Sequence, residues 1–306
     1  MFDYDAVIIG GGPAGLTAAI YLARANLRTL LLEEESFGGK IKNVEWIENY
    51  PGFAEGISGP QLANRMESQA LKFGLKTEIA SVTGLEIFSR SRWVACSDGR
   101  GYTAGAVIIA GGSKPRKLNV PGEAELTGKG VFTCAFCDGG QFAGKVVAVA
   151  GGGDSGVTEA LYMSKIASRI LLFEAMPALT ATAVLQDRIR QNPQISFRCG
   201  ARITSVSGQG KLENIQIETS GGLKETVQVD GLLVQIGMDA STDYLGDIIE
   251  LDSKRMITVS LQMETSVPGI FAAGDIRSGS TGQVAGAVGD GTLAAMSAIR
   301  FLQSKE

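Results

Sequence analysis

An α/β fold with two nucleotide-type units is predicted by three observations. Apolar runs of strand length feed into glycine loops at two places, Gly10-Gly11-Gly12-Pro13-Ala14-Gly15 and Gly151-Gly152-Gly153-Asp154-Ser155-Gly156. The residues after the loops recur at a constant offset of 141 positions: Thr17 and Thr158, Tyr21 and Tyr162, Arg24 and Lys165, Arg28 and Arg169, Glu33 and Glu174. Just ahead of the second loop stands Cys134-Ala135-Phe136-Cys137-Asp138, a two-cysteine redox pair. Together they predict two Rossmann-like, three-layer (ββα) dinucleotide-binding domains and, with one dithiol, an electron relay.

The bulk composition is consistent with this. A chain of 306 residues, 44% hydrophobic and 20% charged, is long enough for two cores and has no disordered character. With 28 basic against 32 acidic residues the net charge is −4, which argues against nucleic-acid binding. No apolar run reaches the roughly 18 residues of a spanning helix. The acidic start Met1-Phe2-Asp3-Tyr4-Asp5 is unlike a signal peptide, so a cytoplasmic location is expected. Four cysteines are too few for a disulfide scaffold, and Cys96 and Cys199, single in strand-like runs, read as small buried hydrophobes. The absence of histidine removes the commonest general base and metal ligand, so serine triads and zinc sites are excluded and no metal is expected.

Taken in order, residues 5–9 read as a buried parallel strand entering Gly10-x-Gly12-x-x-Gly15, Leu16–Arg24 as a helix, and Leu30–Glu33 as the second strand. In such a unit the first glycine makes the tight turn, the second admits a pyrophosphate to the backbone, and the third lets helix pack on strand. The helix N-terminus offers free N–H groups to phosphates, and Glu33, 23 residues after Gly10, is placed for ribose hydroxyls. Phe37–Lys40 and Ile47–Gly52 are turn-rich loops, Ala106–Gly112 is another buried strand ending in glycines, and Ser113–Pro121 reads as a linker. After the second glycine unit come strands at Ile203–Val206, Asn214–Glu218 and Gly231–Gly237. Thr265–Asp275 is an apolar strand closing on Gly274-Asp275, and a helix is expected from Gln283 through Ala298.

These residues resemble the low-molecular-weight thioredoxin reductase family over essentially the whole chain. The matching pieces are Gly10–Gly15, Gly38-Gly39, Glu48-Asn49-Tyr50-Pro51-Gly52, Cys134–Asp138, Gly151–Gly156 and Pro268–Asp275 with Gln283. The resemblance implies a homodimeric FAD enzyme that reduces thioredoxin or a thioredoxin-like protein. It implies a discontinuous FAD domain, about 1–115 plus 240–306, and a middle NAD(P)-type domain, 116–239, carrying the dithiol. The implied FAD-binding residues are Gly10, Gly12, Pro13, Ala14, Gly15, Glu33, Gly39, Lys40, Asn49, Gly274, Asp275, Gln283 and Val284. A second nucleotide site would comprise Gly151, Gly153, Asp154, Ser155, Gly156 and Glu174. The implied chemistry passes electrons from reduced flavin to the Cys134–Cys137 disulfide at the flavin-proximal Cys137, with Cys134 exchanging with substrate and Asp138 as proton donor.

The chain departs from the family pattern where NADPH enzymes carry arginines for the 2′-phosphate. Here the stretch after Leu171-Leu172-Phe173-Glu174 has no basic residue until Arg188, and Glu174 would repel a 2′-phosphate and suits a bare ribose. NADPH is therefore not the expected donor. NADH, ferredoxin (facing the basic Lys114-Pro115-Arg116-Lys117) or another carrier remain as donors, and some relatives without the arginine run use ferredoxin. Gly111, in place of a threonine, and Thr281-Gly282-Gln283, in place of Tyr-Arg-Gln, are further departures around the flavin. The alternative function is an FAD-dependent dithiol oxidase acting on a small-molecule dithiol with O₂.

Overall fold

The computed structural model describes residues 2–304. In chain order it contains β1 (Tyr4–Ile9), α1 (Pro13–Arg24), β2 (Thr29–Glu33), α2 (Gly59–Leu71), β3 (Lys76–Ile79), β4 (Val82–Ile87), β5 (Arg92–Cys96), β6 (Gly101–Ile109) and β7 (Ser113–Pro115). There follow α3 (Glu123–Leu126), β8 (Val131–Phe132), α4 (Ala135–Asp138), β9 (Val146–Ala150), α5 (Asp154–Met163), β10 (Arg169–Glu174), α6 (Ala183–Gln191) and β11 (Ile195–Cys199). The chain ends with β12 (Ala201–Ser207), β13 (Asn214–Thr219), β14 (Lys224–Gln228), β15 (Gly231–Val234), β16 (Met238–Ala240), β17 (Ile270–Ala272) and α7 (Val284–Gln303). Two compact units result, Met1–Lys114 with Asp239–Glu306, and Pro115–Met238.

The first unit is built on a seven-stranded sheet in the order β3-β2-β1-β6-β5-β4, with β17 also paired to β6. Strands β3, β2, β1, β6 and β17 run parallel, while β5 and β4 extend the sheet antiparallel. Because side chains alternate across a strand, the apolar runs of β1, β2 and β6 supply two cores at once. Ile8, Leu31 and Ile108 face a layer that includes Leu16, Leu22, Ala294 and Ala298 of α1 and α7. Val7, Ile9, Leu30 and Val107 face Leu85, Val94, Leu245 and Ile276.

The second unit repeats the scheme. Its five-stranded sheet, β11-β10-β9-β15-β8, is wholly parallel. Val147, Val149 and Leu172 pack with Val157, Ala160 and Ile189 of α5 and α6. Ala148, Ala150, Phe173 and Leu232 pack with Ile203, Ile215 and Ile217 of the antiparallel β12-β13-β14 sheet. A helical layer, a parallel sheet and a β layer are thus stacked in that order.

Several expected boundaries move. α1 starts at Pro13 rather than Leu16, since proline at the first helical position gives up an N–H that has no partner there in any case. The stretch read as a linker from Ser113 contains β7, which pairs with β16 in a two-stranded ladder. The strand from Gly231 stops at Val234, before Gly237 with its positive φ of 113°. α7 continues to Gln303 rather than ending at Ala298. Cys96 is buried as expected, but Cys199, at the C-terminal end of edge strand β11, is only partly covered.

Candidate functional site

The first glycine loop is shaped by contacts that leave no space for side chains. A β-carbon on Gly10, whose φ is 103°, would lie 2.4 Å from the Ala110 carbonyl oxygen, and one on Gly15 would lie 1.9 Å from that of Gly10. Gly12 is the N-cap of α1, and Leu16 N–H donates to its carbonyl at 2.9 Å. The amides of the first turn therefore have no helical acceptors and are available to an anion. The turn after β2 folds back on this loop: Gly38 N–H donates to Gly11 O at 2.7 Å, and a β-carbon on Gly39 would sit 3.0 Å from Gly12 Cα. Glu33 closes the motif, its Oε2 accepting Gly11 N–H at 2.7 Å and its Oε1 accepting Glu35 N–H at 3.1 Å.

Residues far apart in sequence converge on the same unit. Lys40 Nζ donates to Asp275 Oδ2 at 2.5 Å and to Ser113 Oγ at 3.1 Å, while Ser280 Oγ donates to Asp275 Oδ1 at 3.2 Å. Asn49 Nδ2 donates to Gln283 Oε1 at 2.9 Å, and Gln283 is the N-cap of α7, with Val284 its first residue. Gly274, φ 81°, rests on Ala14, where a β-carbon would come within 3.0 Å of the Ala14 Cβ. The Gly274-Asp275 turn is anchored by Asp290, whose Oδ2 accepts Gly274 N–H at 3.1 Å and whose two oxygens receive Arg277 Nε and Nη2 at 2.7 and 2.8 Å. Sequence reasoning missed Ser113, Ser280, Arg277 and Asp290. The signal for Asp290 was present, an acid within the small and apolar run of α7.

Gly111, the position without the threonine, has room: a β-carbon there would meet Ile276 Cδ1 at an ordinary 3.5 Å. Its backbone nonetheless presses on Gly10, since a Gly10 β-carbon would lie 2.8 Å from Gly111 Cα.

The second loop has the same construction. A β-carbon on Gly151, φ 111°, would meet Gln235 O at 2.1 Å, and one on Gly156 would meet Gly151 O at 2.0 Å. Gly153 caps α5 and Asp154 opens it; Asp154 Oδ1 accepts Thr182 N–H at 2.6 Å, and Ser155 is exposed. Thr180 and Ala181 N–H groups donate to Gly152 O at 3.0 and 3.1 Å, laying the segment after β10 over the loop. Glu174 is 8% exposed, with Oε2 accepting Gly152 N–H at 2.5 Å and Oε1 accepting Met176 N–H at 2.8 Å. Ala175 to Ala178 are exposed and carry no charge.

The cysteine pair forms a disulfide, Cys134–Cys137, with a Cα–Cα distance of 5.4 Å across the short helix α4. Cys137 is exposed and Cys134 half-buried; Asp138, also half-buried, ends the turn, its N–H donating to Cys134 O at 3.1 Å. Thr133 O accepts from Gln235 Nε2 at 2.8 Å, which ties the cysteine turn to the residue beneath Gly151. Glu159 of α5 lies against the turn, and its burial raises its carboxyl above the usual range while the Ala135 N–H opposes that rise. The two remaining cysteines are less acidic than a free thiol: burial raises both, helped by Asp98 at Cys96 and by Glu174 at Cys199.

Comparison with known proteins agrees with this construction. The family model described as "Pyridine nucleotide-disulphide oxidoreductase" matches residues 4–291. A thioredoxin reductase of Bacillus subtilis is 40% identical over 302 residues, 98% of this chain and 95% of that relative. The crystal structure of Lactococcus lactis thioredoxin reductase superposes with a TM-score of 0.96 at 35% identity, covering 99% of this chain and 100% of that one. A ferredoxin-flavin thioredoxin reductase from Clostridium acetobutylicum is 26% identical, with a TM-score of 0.54 and 98% of both chains covered. Among the described residues no helix is long and apolar enough to cross a membrane. The chain belongs to the pyridine nucleotide-disulphide oxidoreductase family, in which it is a thioredoxin reductase-like, FAD-dependent disulfide oxidoreductase.

Proposed function

We propose that this flavoprotein passes electrons through the Cys134–Cys137 pair to a protein disulfide, thioredoxin or a thioredoxin-like protein, and that its electron donor is not NADPH. The observation that carries the donor assignment is Glu174: a nearly buried carboxylate at the end of β10, followed by thirteen residues without a Lys or Arg. A 2′-phosphate placed there would meet a negative charge, with no Lys or Arg supplied by the segment that follows β10. NADH suits this acid, whereas ferredoxin is supported by the likeness to the ferredoxin-flavin enzyme.

The FAD-binding domain in this reading is 1–115 with 240–306, and the middle domain is 116–239. The residues of the first unit fit a flavin dinucleotide, because Gly10, Gly12, Gly15 and Gly39 leave a side-chain-free cradle at the start of α1. Pro13, Ala14, Glu33, Lys40, Asn49, Gly274, Asp275, Gln283 and Val284 would line it. When bound, FAD supplies a carrier of two electrons. Reduction of the disulfide releases two sulfurs; Asp138, next to Cys137, delivers the proton one of them needs. Cys134 then attacks the substrate disulfide as a thiolate, and Cys137 resolves the mixed disulfide. Gly151, Gly153, Asp154, Ser155 and Gly156 would hold the phosphates of a dinucleotide donor. A homodimer located in the cytoplasm completes the proposal.

The test is an anaerobic titration of the flavin absorbance with NADH, NADPH and reduced ferredoxin in turn. Bleaching by NADH or ferredoxin but not NADPH is expected; efficient bleaching by NADPH would overturn the donor assignment. Cys134→Ser should abolish thioredoxin reduction with flavin still bound. Bleaching by none of the three, with hydrogen peroxide released on feeding dithiols, would establish the dithiol oxidase instead.

A further inference from the structure

Besides the Gln235 contact to Thr133 O, the cysteine turn has a second hydrogen-bond anchor that the reaction outlined above does not use. Within the turn, Cys137 N–H points to Cys134 Sγ at 3.1 Å and Asp138 N–H donates to Cys134 O at 3.1 Å. Ala135 N–H instead leaves the turn and donates to Glu159 Oε2 at 2.8 Å. Ala135 is fully buried and adjoins Cys134 in the sequence, so a carboxylate from α5 holds the backbone between the two sulfurs. Glu159 lies five residues after Asp154, the first residue of the helix that opens at the second glycine loop.

No cation contributes to the acidity of Glu159, so a charge partner does not account for its presence there. The titratable and charged groups on the elements that pack most against α5 are Cys137 and Asp138 of α4 with its N-cap Cys134, Arg169 and Glu174 of β10, and Asp187, Arg188 and Arg190 of α6; β9 has none. Tyr162 lies one turn on along α5, and Lys165 just beyond its end. Burial, rather than any of these charges, governs the acidity of the carboxyl. A half-buried acid whose desolvation no cation offsets, beside a redox disulfide, is an expensive arrangement unless its charge has a use.

We propose that Glu159 is a positioning residue of the dithiol: it holds Ala135, and through it Cys134, in the geometry that closes the disulfide, and its charge sets the acidity of the reduced pair. The inference rests on Cys134–Cys137 being the working redox pair. When the disulfide accepts two electrons the S–S bond breaks, one sulfur takes a proton and the other remains a thiolate. A carboxylate next to Ala135 disfavours that thiolate, and a neutral group of the same shape favours it. Removing the acceptor altogether frees the turn and lowers the effective concentration of one sulfur for the other.

The experiment compares the flavin-loaded protein with E159Q and E159A, using flavin content and circular dichroism to establish folding. The Cys134–Cys137 disulfide is equilibrated with dithiothreitol, and the reduced pair is alkylated with iodoacetamide between roughly pH 5 and 9. Read at a pH below the thiol pKa, where both sulfurs of the open form are protonated, E159A should shift the equilibrium towards the open dithiol by about threefold or more, while E159Q, which keeps an oxygen acceptor, stays near wild type. Below the thiol pKa, E159Q should alkylate about threefold faster than wild type, the effect of a half-unit fall in pKa, with the two profiles converging at high pH. An E159Q profile that superimposes on wild type overturns the proposal, as does an E159A equilibrium equal to wild type. If E159A does not fold, the E159Q profile decides alone. These measurements need no turnover, so a failed thioredoxin assay would count against the functional reading and not against this one.

Discussion

Glu174 accepts the Gly152 amide at 2.5 Å, just as Glu33, 141 positions earlier, accepts the Gly11 amide at 2.7 Å. The second oxygen of each acid takes the N–H two residues further on, Met176 at 2.8 Å and Glu35 at 3.1 Å. The acid at the end of the second strand therefore clamps the glycine loop. Glu174→Gln keeps one acceptor and presents an N–H₂ to a backbone donor. It should lower the stability of the middle unit by about 1–3 kcal/mol, measured by urea denaturation.

Donor preference lies in the exposed residues beside that clamp. Ala175 and Met176 are solvent-exposed and neutral, so arginines there should alter stability by no more than about 0.5 kcal/mol. The A175R/M176R double variant should acquire flavin reduction by NADPH, at least about tenfold faster than wild type at low NADPH, through cations that a 2′-phosphate can pair with. Stopped-flow absorbance measures it, and an unchanged NADPH rate would place selectivity elsewhere.

Arg92 is 3% exposed and binds the chain's return to the first sheet. Its guanidinium donates to Gly105 O at 2.9 Å and to Pro268 O, and its carbon lies 5.1 Å from the centroid of the Phe301 ring. Burial lowers its pKa from the ordinary value, yet arginine stays charged at every accessible pH. Arg92→Met leaves two carbonyls without their donor and should cost about 2–4 kcal/mol in chemical denaturation. Lysine should not restore this, because one ammonium lacks the planar fork that reaches both oxygens while stacking on the ring.

Asp290 and Arg277 form a part-buried pair, side chains 8% and 17% exposed, that also holds Gly274 N–H. Asp290→Asn should loosen the turn that presents Asp275 to Lys40 and leave Arg277 without its counter-charge. We expect flavin retention after gel filtration to fall several-fold, with helix content unchanged by circular dichroism.

Cysteine reactivity should divide by environment. Burial raises the Cys96 and Cys199 thiols, and a neutral thiol is a poor nucleophile. After reduction with dithiothreitol, iodoacetamide near pH 7.5 should label the Cys134–Cys137 pair at least about tenfold faster than Cys96 and Cys199, read by peptide mass spectrometry. Equal labelling would mean that the folded environment does not protect the two single cysteines.

Much of the architecture was legible because it is written in local patterns. The strands entering both glycine loops are continuous apolar runs, and the 141-residue repeat extends from Gly10 and Gly151 to Glu33 and Glu174. Helix and strand ends were less legible. Pro13 and Gly237 act through backbone conformation at one residue, and β7 exists only because β16, more than a hundred residues later, pairs with it. Cys199 read as buried because it sits singly in a strand-like run, but edge strand β11 leaves it partly open.

The sequence by itself determined the α/β class, the duplicated glycine-loop unit, the position of the redox pair and the missing cations after Glu174. Each depends on residue types at short, fixed spacing, so backbone geometry alone carries the inference. Only the tertiary structure decided that Lys40 meets Asp275 and Ser113, that Asn49 meets Gln283, that Asp290 anchors Gly274, and that Glu159 reaches Ala135. Those partners are 24 to 235 residues apart or lie across an element boundary, apart from Asp290 and Gly274 at 16, and no local periodicity records them. They meet because parallel strands and their covering helices bring distant loops to the same end of a sheet.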